Sequence, residues 1–117
     1  MTIPASIQLA RGFNEQVDDV KISRSKDGTT SVAVFFFETP QCMTEAAGGA
    51  EITGMYMIDE EGEIVTRNVN AMFVNGKSAG IKATYKIDGE YDWERFLRFM
   101  NRYAEANGMS LSKPGDA

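Results

Sequence analysis

Four carboxylates fall within five residues, at Asp59, Glu60, Glu61 and Glu63. Such a cluster serves two chemistries: a general acid–base pair, or oxygen ligation of calcium. A helix–loop–helix calcium site spreads its ligands over about twelve residues with a central glycine. Here the run is shorter and its flanks have strand character, so a solvated acidic turn is expected. As an acid–base pair, the cluster lacks a visible orienting partner. The second chemical group is cationic. Arg95, Arg98 and Arg102 recur at three- and four-residue spacing, which places them along one side of a helix. They read either as a solvated face with modest pairing, Glu94 standing one turn before Arg98, or as a docking surface for an acidic partner or an anionic lipid.

Absent residue types exclude more. The chain has no histidine, so the commonest general base and metal ligand is missing. Cys42 is the only cysteine, which excludes an internal disulfide and a cysteine zinc site. It reads as a small, partly buried hydrophobe, and one free thiol fits a reducing compartment. No phosphate-cradling glycine motif or nucleophile elbow occurs; Gly48-Gly49 and Gly76-Lys77 read as turns. Twelve Lys and Arg against seventeen Asp and Glu give a net charge of −5, the wrong sign for non-specific nucleic-acid binding. Phe96-Leu97-Arg98-Phe99 interleaves aromatic and basic residues, yet the ribonucleoprotein motif is absent.

The elements that position these groups follow from periodicity. A chain of 117 residues with 43% hydrophobic content has the size and composition of one globular domain, spanning 1–117. Its longest strictly apolar run is residues 32–37, against roughly 18–20 for a membrane span. No basic stretch followed by an apolar one opens the chain, so no secretory signal is expected. Residues 7–13 and 20–23 alternate as strands, and Asp27-Gly28 reads as a tight turn. Residues 30–38 are apolar on both faces, which predicts a central strand covered on both sides. Residues 39–50 form a loop with a short helical turn within 41–47. Residues 51–59 and 63–74 are strands, the latter long, and Asn75-Gly76 is a strong hairpin signal. The returning strand sets Ile81, Ala83, Tyr85 and Ile87 against Lys82, Thr84, Lys86 and Asp88, as in a half-solvated strand.

The period then changes to 3.6. Trp93, Phe96, Leu97, Met100, Tyr103 and Ala104 share one helix face over 90–107. Glu90 and Asp92 suit its first turn, and Asn107-Gly108 its end. The tail 109–117 is expected to fray. The fold class is α+β: an antiparallel sheet of five or six strands over about 7–88, with the C-terminal helix packed on one face.

Two stretches are recognisable. Residues 52–64, ITGMYMIDEEGEI, followed by residues 69–77, VNAMFVNGK, resemble the central motif of the photosystem II reaction centre Psb28 protein family. Residues 93–108, WERFLRFMNRYAEANG, are similar to its C-terminal signature. Residues 22–25 and 36–40 are similar to its N-terminal half, so the resemblance covers about 7–112. The chain departs from the family pattern at Met72, where a basic residue is usual, at Thr39, where Asn is commoner, and at Asp88-Gly89-Glu90, where a Ser/Pro helix start is usual.

The resemblance implies a small assembly factor without cofactors. Such a protein binds transiently to the cytoplasmic or stromal face of photosystem II assembly intermediates. Its contacts are the inner antenna subunit's C-terminal tail and the reaction-centre heterodimer. It is thus peripheral on the thylakoid membrane through protein partners, partly soluble, a monomer or weak dimer, and binds no nucleic acid. On the residues themselves, the expected mode is addition of an extended tail to a sheet edge within 63–74. The candidate partner-binding residues are Thr66, Arg67, Asn68, Asn70, Met72 and Lys77, with Arg95, Arg98 and Arg102 on the helix. No catalytic, cofactor or metal residues are assigned. The competing readings are a small enzyme using Tyr and carboxylates in a sheet–helix cleft, and a self-associating structural module.

Overall fold

The computed structural model describes residues 4–43 and 51–108. The expected fray of the tail and most of the expected helical turn lie outside them. Eight strands run in order: β1 (Ser6–Gln8), β2 (Asn14–Glu15), β3 (Asp19–Arg24), β4 (Thr30–Phe37), β5 (Met55–Asp59), β6 (Gly62–Thr66), β7 (Val69–Val74) and β8 (Lys77–Asp88). A 3-10 turn, Gln41–Met43, follows β4, and the helix α1 (Gly89–Ala106) closes the described chain. The strands form two antiparallel sheets of four, ordered β2-β1-β5-β6 and β3-β4-β8-β7.

The α+β class and the C-terminal helix are as expected, but one sheet has become two. The reason lies at Arg67-Asn68. Residues 63–74 do not form one long strand: β6 ends at Thr66 in the first sheet and β7 begins at Val69 in the second. The Thr66 hydroxyl donates to the Thr84 carbonyl at 2.7 Å, and the Asn68 carbonyl accepts from the Thr84 amide at 2.9 Å. The chain therefore turns a corner against β8, a long-range contact that period-two alternation does not encode.

One core is shared by both sheets and the helix. Ile7, Met55 and Met57 come from the first sheet, Phe35, Phe37 and Ile87 from the second. Phe96, Phe99, Met100, Tyr103 and Ala104 are buried on α1. Phe35 meets Phe96 edge to face at 6.2 Å, a favoured aromatic geometry. Phe99 joins this set although the single-stripe reading left it out, while Trp93 and Leu97 are only half-buried. The helix packs on both β8 and β5, so its buried arc is wider and centred elsewhere than one sheet would require. The Tyr103 hydroxyl accepts from the Val17 amide and donates to the Glu15 carbonyl, tying α1 to β2.

On β4, Ser31, Ala33, Phe35 and Phe37 are buried, but Val32, Val34 and Phe36 remain half-exposed on the opposite face. The expectation of cover on both sides is therefore not met among the described residues. The Asn75-Gly76 turn has the expected form. Val74 pairs with Lys77, and both turn residues hold positive φ, 52° and 78°.

Candidate functional site

The acidic turn and the helix arginines, separated by 36–43 residues in sequence, meet in one network. Arg95 donates to both Asp59 oxygens, at 2.9 and 2.7 Å. The Asp59 side chain is 0% exposed and that of Arg95 14%. Arg102 reaches Asp59 at 3.0 Å and Glu61 at 2.6 Å, and Arg98 grips both Glu61 oxygens at 2.8 and 2.9 Å. Burial pushes the Asp59 carboxyl up, but hydrogen bonds from Arg95 and Arg102 outweigh it and leave the group below its ordinary value. Bonds from Arg98 and Arg102 push Glu61 down to about 2. The sequence suggests a solvated acidic turn, whereas Asp59 and Glu61 are held in ion pairs with the helix and Asp59 is buried. Arg98 likewise bonds to Glu61 across the fold, not to Glu94 one turn away. These three guanidinium groups already have carboxylate partners, which leaves little of their charge for a ligand.

The remaining candidate residues lie around the corner and β7. Arg67 donates to the Thr53 carbonyl at 2.9 Å and the Tyr56 hydroxyl at 3.1 Å. Tyr56 lies between Arg67 and Arg11, whose guanidinium carbon is 3.9 Å from the ring centroid. Arg67 thus pins the corner. Asn70 donates to the Asn68 side-chain oxygen at 3.0 Å, along the start of β7. Met72 is half-buried, and Lys77 is exposed at the hairpin tip beside Val74. Phe73 and Val74 are 66% and 62% exposed.

β7 is the outermost strand of its sheet. The Asn68–Thr84 backbone bond sets the ladder's phase, and the paired register carries it on to Asn70 opposite Lys82. Ala71, one residue past Asn70 and opposite Ile81, is a non-bonded position and therefore turns its N–H and C=O outward to the open edge. No proline interrupts β7. Thr66, Arg67 and Asn68 are the corner that delivers the strand to this edge, while Asn70, Met72 and Lys77 belong to the strand and its tip. Sequence reasoning reached this region but not Ala71, because edge orientation depends on the partner's register.

Phe96, Phe99, Met100 and Tyr103 of α1 are buried in the core shared with the two sheets. Tyr103 uses its hydroxyl for the two backbone bonds given above. Both Glu15 oxygens accept backbone amides, from Gln41 at 2.6 Å and Cys42 at 3.0 Å, beside a polar recess lined by Gln16, Val17, Asp18 and Thr39. Burial and the Glu15 charge push the Cys42 thiol up to about 11, so it stays protonated and unreactive. Among the described residues, no group of three or more Cys, Asp or Glu could hold a metal ion. No described helix is long and apolar enough to cross a membrane.

The family model for Psb28 protein matches residues 7–111. The chain belongs to the Psb28 family. The photosystem II assembly factor Psb28 protein of Thermosynechococcus vestitus is 50% identical over 110 residues, 93% of each chain. The photosystem II reaction center Psb28 protein of Guillardia theta is 50% identical over 115 residues, 97% of this chain and 99% of that one. Its namesake from Cyanidioschyzon merolae is 53% identical over 110 residues, covering 93% and 98%. The resemblance read from residues 52–77 and 93–108 is thereby established along nearly the whole chain.

Proposed function

We propose that this chain is a non-catalytic photosystem II assembly factor. It docks transiently on the cytoplasmic or stromal face of assembly intermediates, near the inner antenna subunit and the reaction-centre heterodimer, and protects the immature complex. The names borne by relatives at about half identity support the photosystem II connection. The observation that carries the mode of binding is the open edge of β7. An edge strand presents unpaired backbone groups that accept an extended segment as one more strand. A disordered tail of a membrane subunit, such as the inner antenna subunit's C-terminal tail, adds antiparallel or parallel to β7. Asn70 and Met72 then flank its side chains on one face, and Lys77 favours acidic residues near the tip. Arg67 contributes by holding the corner.

The test is amide exchange with and without purified assembly intermediate. Protection is expected to rise over 69–74. Ala71→Pro removes an outward N–H that bonds nothing in the ladder, so the fold persists while capture is lost. Protection confined to 95–102, or full capture by Ala71→Pro, would show that docking does not use this edge.

A further inference from the structure

Eight of the cations among the described residues divide into those held by carboxylates and those on one sheet face. Arg95, Arg98 and Arg102 are held by the acidic turn, and Arg11 by Glu63. Lys21, Lys77 and Lys82 have no carboxylate within ion-pair distance among the described residues. Lys86 has only an exposed Asp88 at 3.9 Å. These four lysines share one surface. Register places Lys21 opposite Val34, Lys82 opposite Phe36 and Asn70, and Lys86 opposite Val32. Along β7 the same face takes in Met72, and past the register shift between Met72 and Phe73 the exposed Val74 pairs with Lys77 at the hairpin tip.

The outer face of the β3-β4-β8-β7 sheet thus carries apolar Val32, Val34 and Phe36 on β4 and Met72 and Val74 on β7, with Lys82 and Lys86 of β8 between the two groups and Lys21 and Lys77 at the outer strands. The Lys21 ammonium lies over the Phe36 ring, 5.5 Å from its centroid, so charge and apolar surface are interleaved on this face. Within these strands the opposing charges are Asp19 and Asp88 alone.

We propose that this face rests on an anionic lipid surface. A broad sheet face with apolar side chains level with lysine stems suits a flat, deformable interface, which demands no shape matching. The charge distribution also selects the orientation. The whole chain carries −5, so an anionic surface repels the acidic remainder and attracts the lysine-bearing face. In that pose the edge of β7 lies in the membrane plane, open sideways to a tail, although lipid docking itself does not depend on strand addition.

The experiment is co-sedimentation of the full chain with two kinds of vesicle: pure phosphatidylcholine, and phosphatidylcholine with about one-third phosphatidylglycerol. Binding is expected only to the anionic vesicles and should weaken as salt rises. Lys77→Gln/Lys82→Gln/Lys86→Gln should lower partitioning by more than about tenfold, at roughly fivefold per lysine near the surface. Phe36→Ser/Met72→Ser should also lower it, without changing the salt dependence. Lys26→Gln, in the β3–β4 turn, and Ala71→Pro should both bind vesicles like the parent. The latter separates failure of this inference from failure of the edge reading. Circular dichroism melts confirm that each variant folds. No sedimentation of the parent with anionic vesicles, equal binding to neutral ones, or an unaffected triple variant would overturn the proposal. So would a triple variant that still binds vesicles but no longer captures a detergent-solubilised assembly intermediate, since the face would then read an acidic protein.

Discussion

At the scale of single residues, the two glycines of the β7–β8 hairpin divide what is local from what is not. Gly76 was legible, because Asn-Gly between alternating segments calls for a primed turn, and its φ of 78° agrees. Replacing it with Val forces a branched side chain into that region, so Gly76→Val should destabilise by roughly 1–3 kcal/mol in a thermal melt. Gly80 was not legible. It holds φ at 118°, and a Cβ there would stand 2.2 Å from the Phe37 carbonyl oxygen, on another strand. Gly80→Ala therefore adds a backbone collision to the strain and should cost more, about 3–5 kcal/mol. Equal melting shifts for the two variants would mean that β8 relaxes away from β4. The arginines divide in the same way. Arg95→Ala strips a bidentate partner from a fully buried carboxylate and should cost roughly 3 kcal/mol. Arg98→Ala breaks a half-exposed pair and should cost at most about 1 kcal/mol. Chemical denaturation of both variants reads this difference directly.

At the scale of elements, sequence periodicity located strands and helix well but could not assign partners. The helix was readable from its 3.6-residue repeat and its Asn107-Gly108 stop, and it ends where expected. Its buried centre was not, because α1 faces two sheets. Phe99 is fully buried, whereas Trp93 lies half-exposed beneath the Arg24 guanidinium at 4.8 Å. Of the residues expected on one helix face, Phe96 is therefore the anchor, and it touches Phe35, Tyr85 and Trp93. Phe96→Ala should cost about 3–5 kcal/mol, and Trp93→Ala only about 1–2 kcal/mol, because a partly solvated ring leaves little cavity behind. Urea unfolding midpoints that rank the two the other way would place the helix differently on its sheets. The break at Arg67-Asn68 was hidden for a related reason. Thr66, Asn68 and Asn70 alternate as one strand would, and only the bonds to Thr84 make the middle of that run a corner. The candidate site shares this limit: the polar alternation of Thr66, Asn68 and Asn70 marks residues 63–74 as an edge candidate, but the outward-facing Ala71 follows only from the ladder's phase.

At the scale of the whole molecule, the acidic turn and α1 act as a latch between the two sheets. Asp59 and Glu61 belong to the β5–β6 hairpin of the first sheet, while α1 packs its opposite side on β8 of the second. Both carboxylates are held below their ordinary values, so each binds protons less readily in the folded chain than in the unfolded one. Their stabilisation is complete above the ordinary values, 4.5 for Glu61 and 3.8 for Asp59, and is lost as pH falls through the folded values. The melting temperature should therefore hold nearly level at neutral pH and fall from about pH 5 downward, with the Glu61 contribution spent only near about 2. Glu61→Gln removes one titrating group from the latch. That variant should start less stable at neutral pH and lose less on acidification than the parent. A parallel fall in both proteins would assign the acid sensitivity to other carboxylates, Asp27 foremost, since bonds from Ser25 and Thr29 also lower it to about 2. The lysine face shares no residue with the latch. Vesicle binding that persists at a pH where the parent begins to lose stability would thus separate the latch from the docking surface, two charge systems that one chain keeps on opposite sides of its shared core.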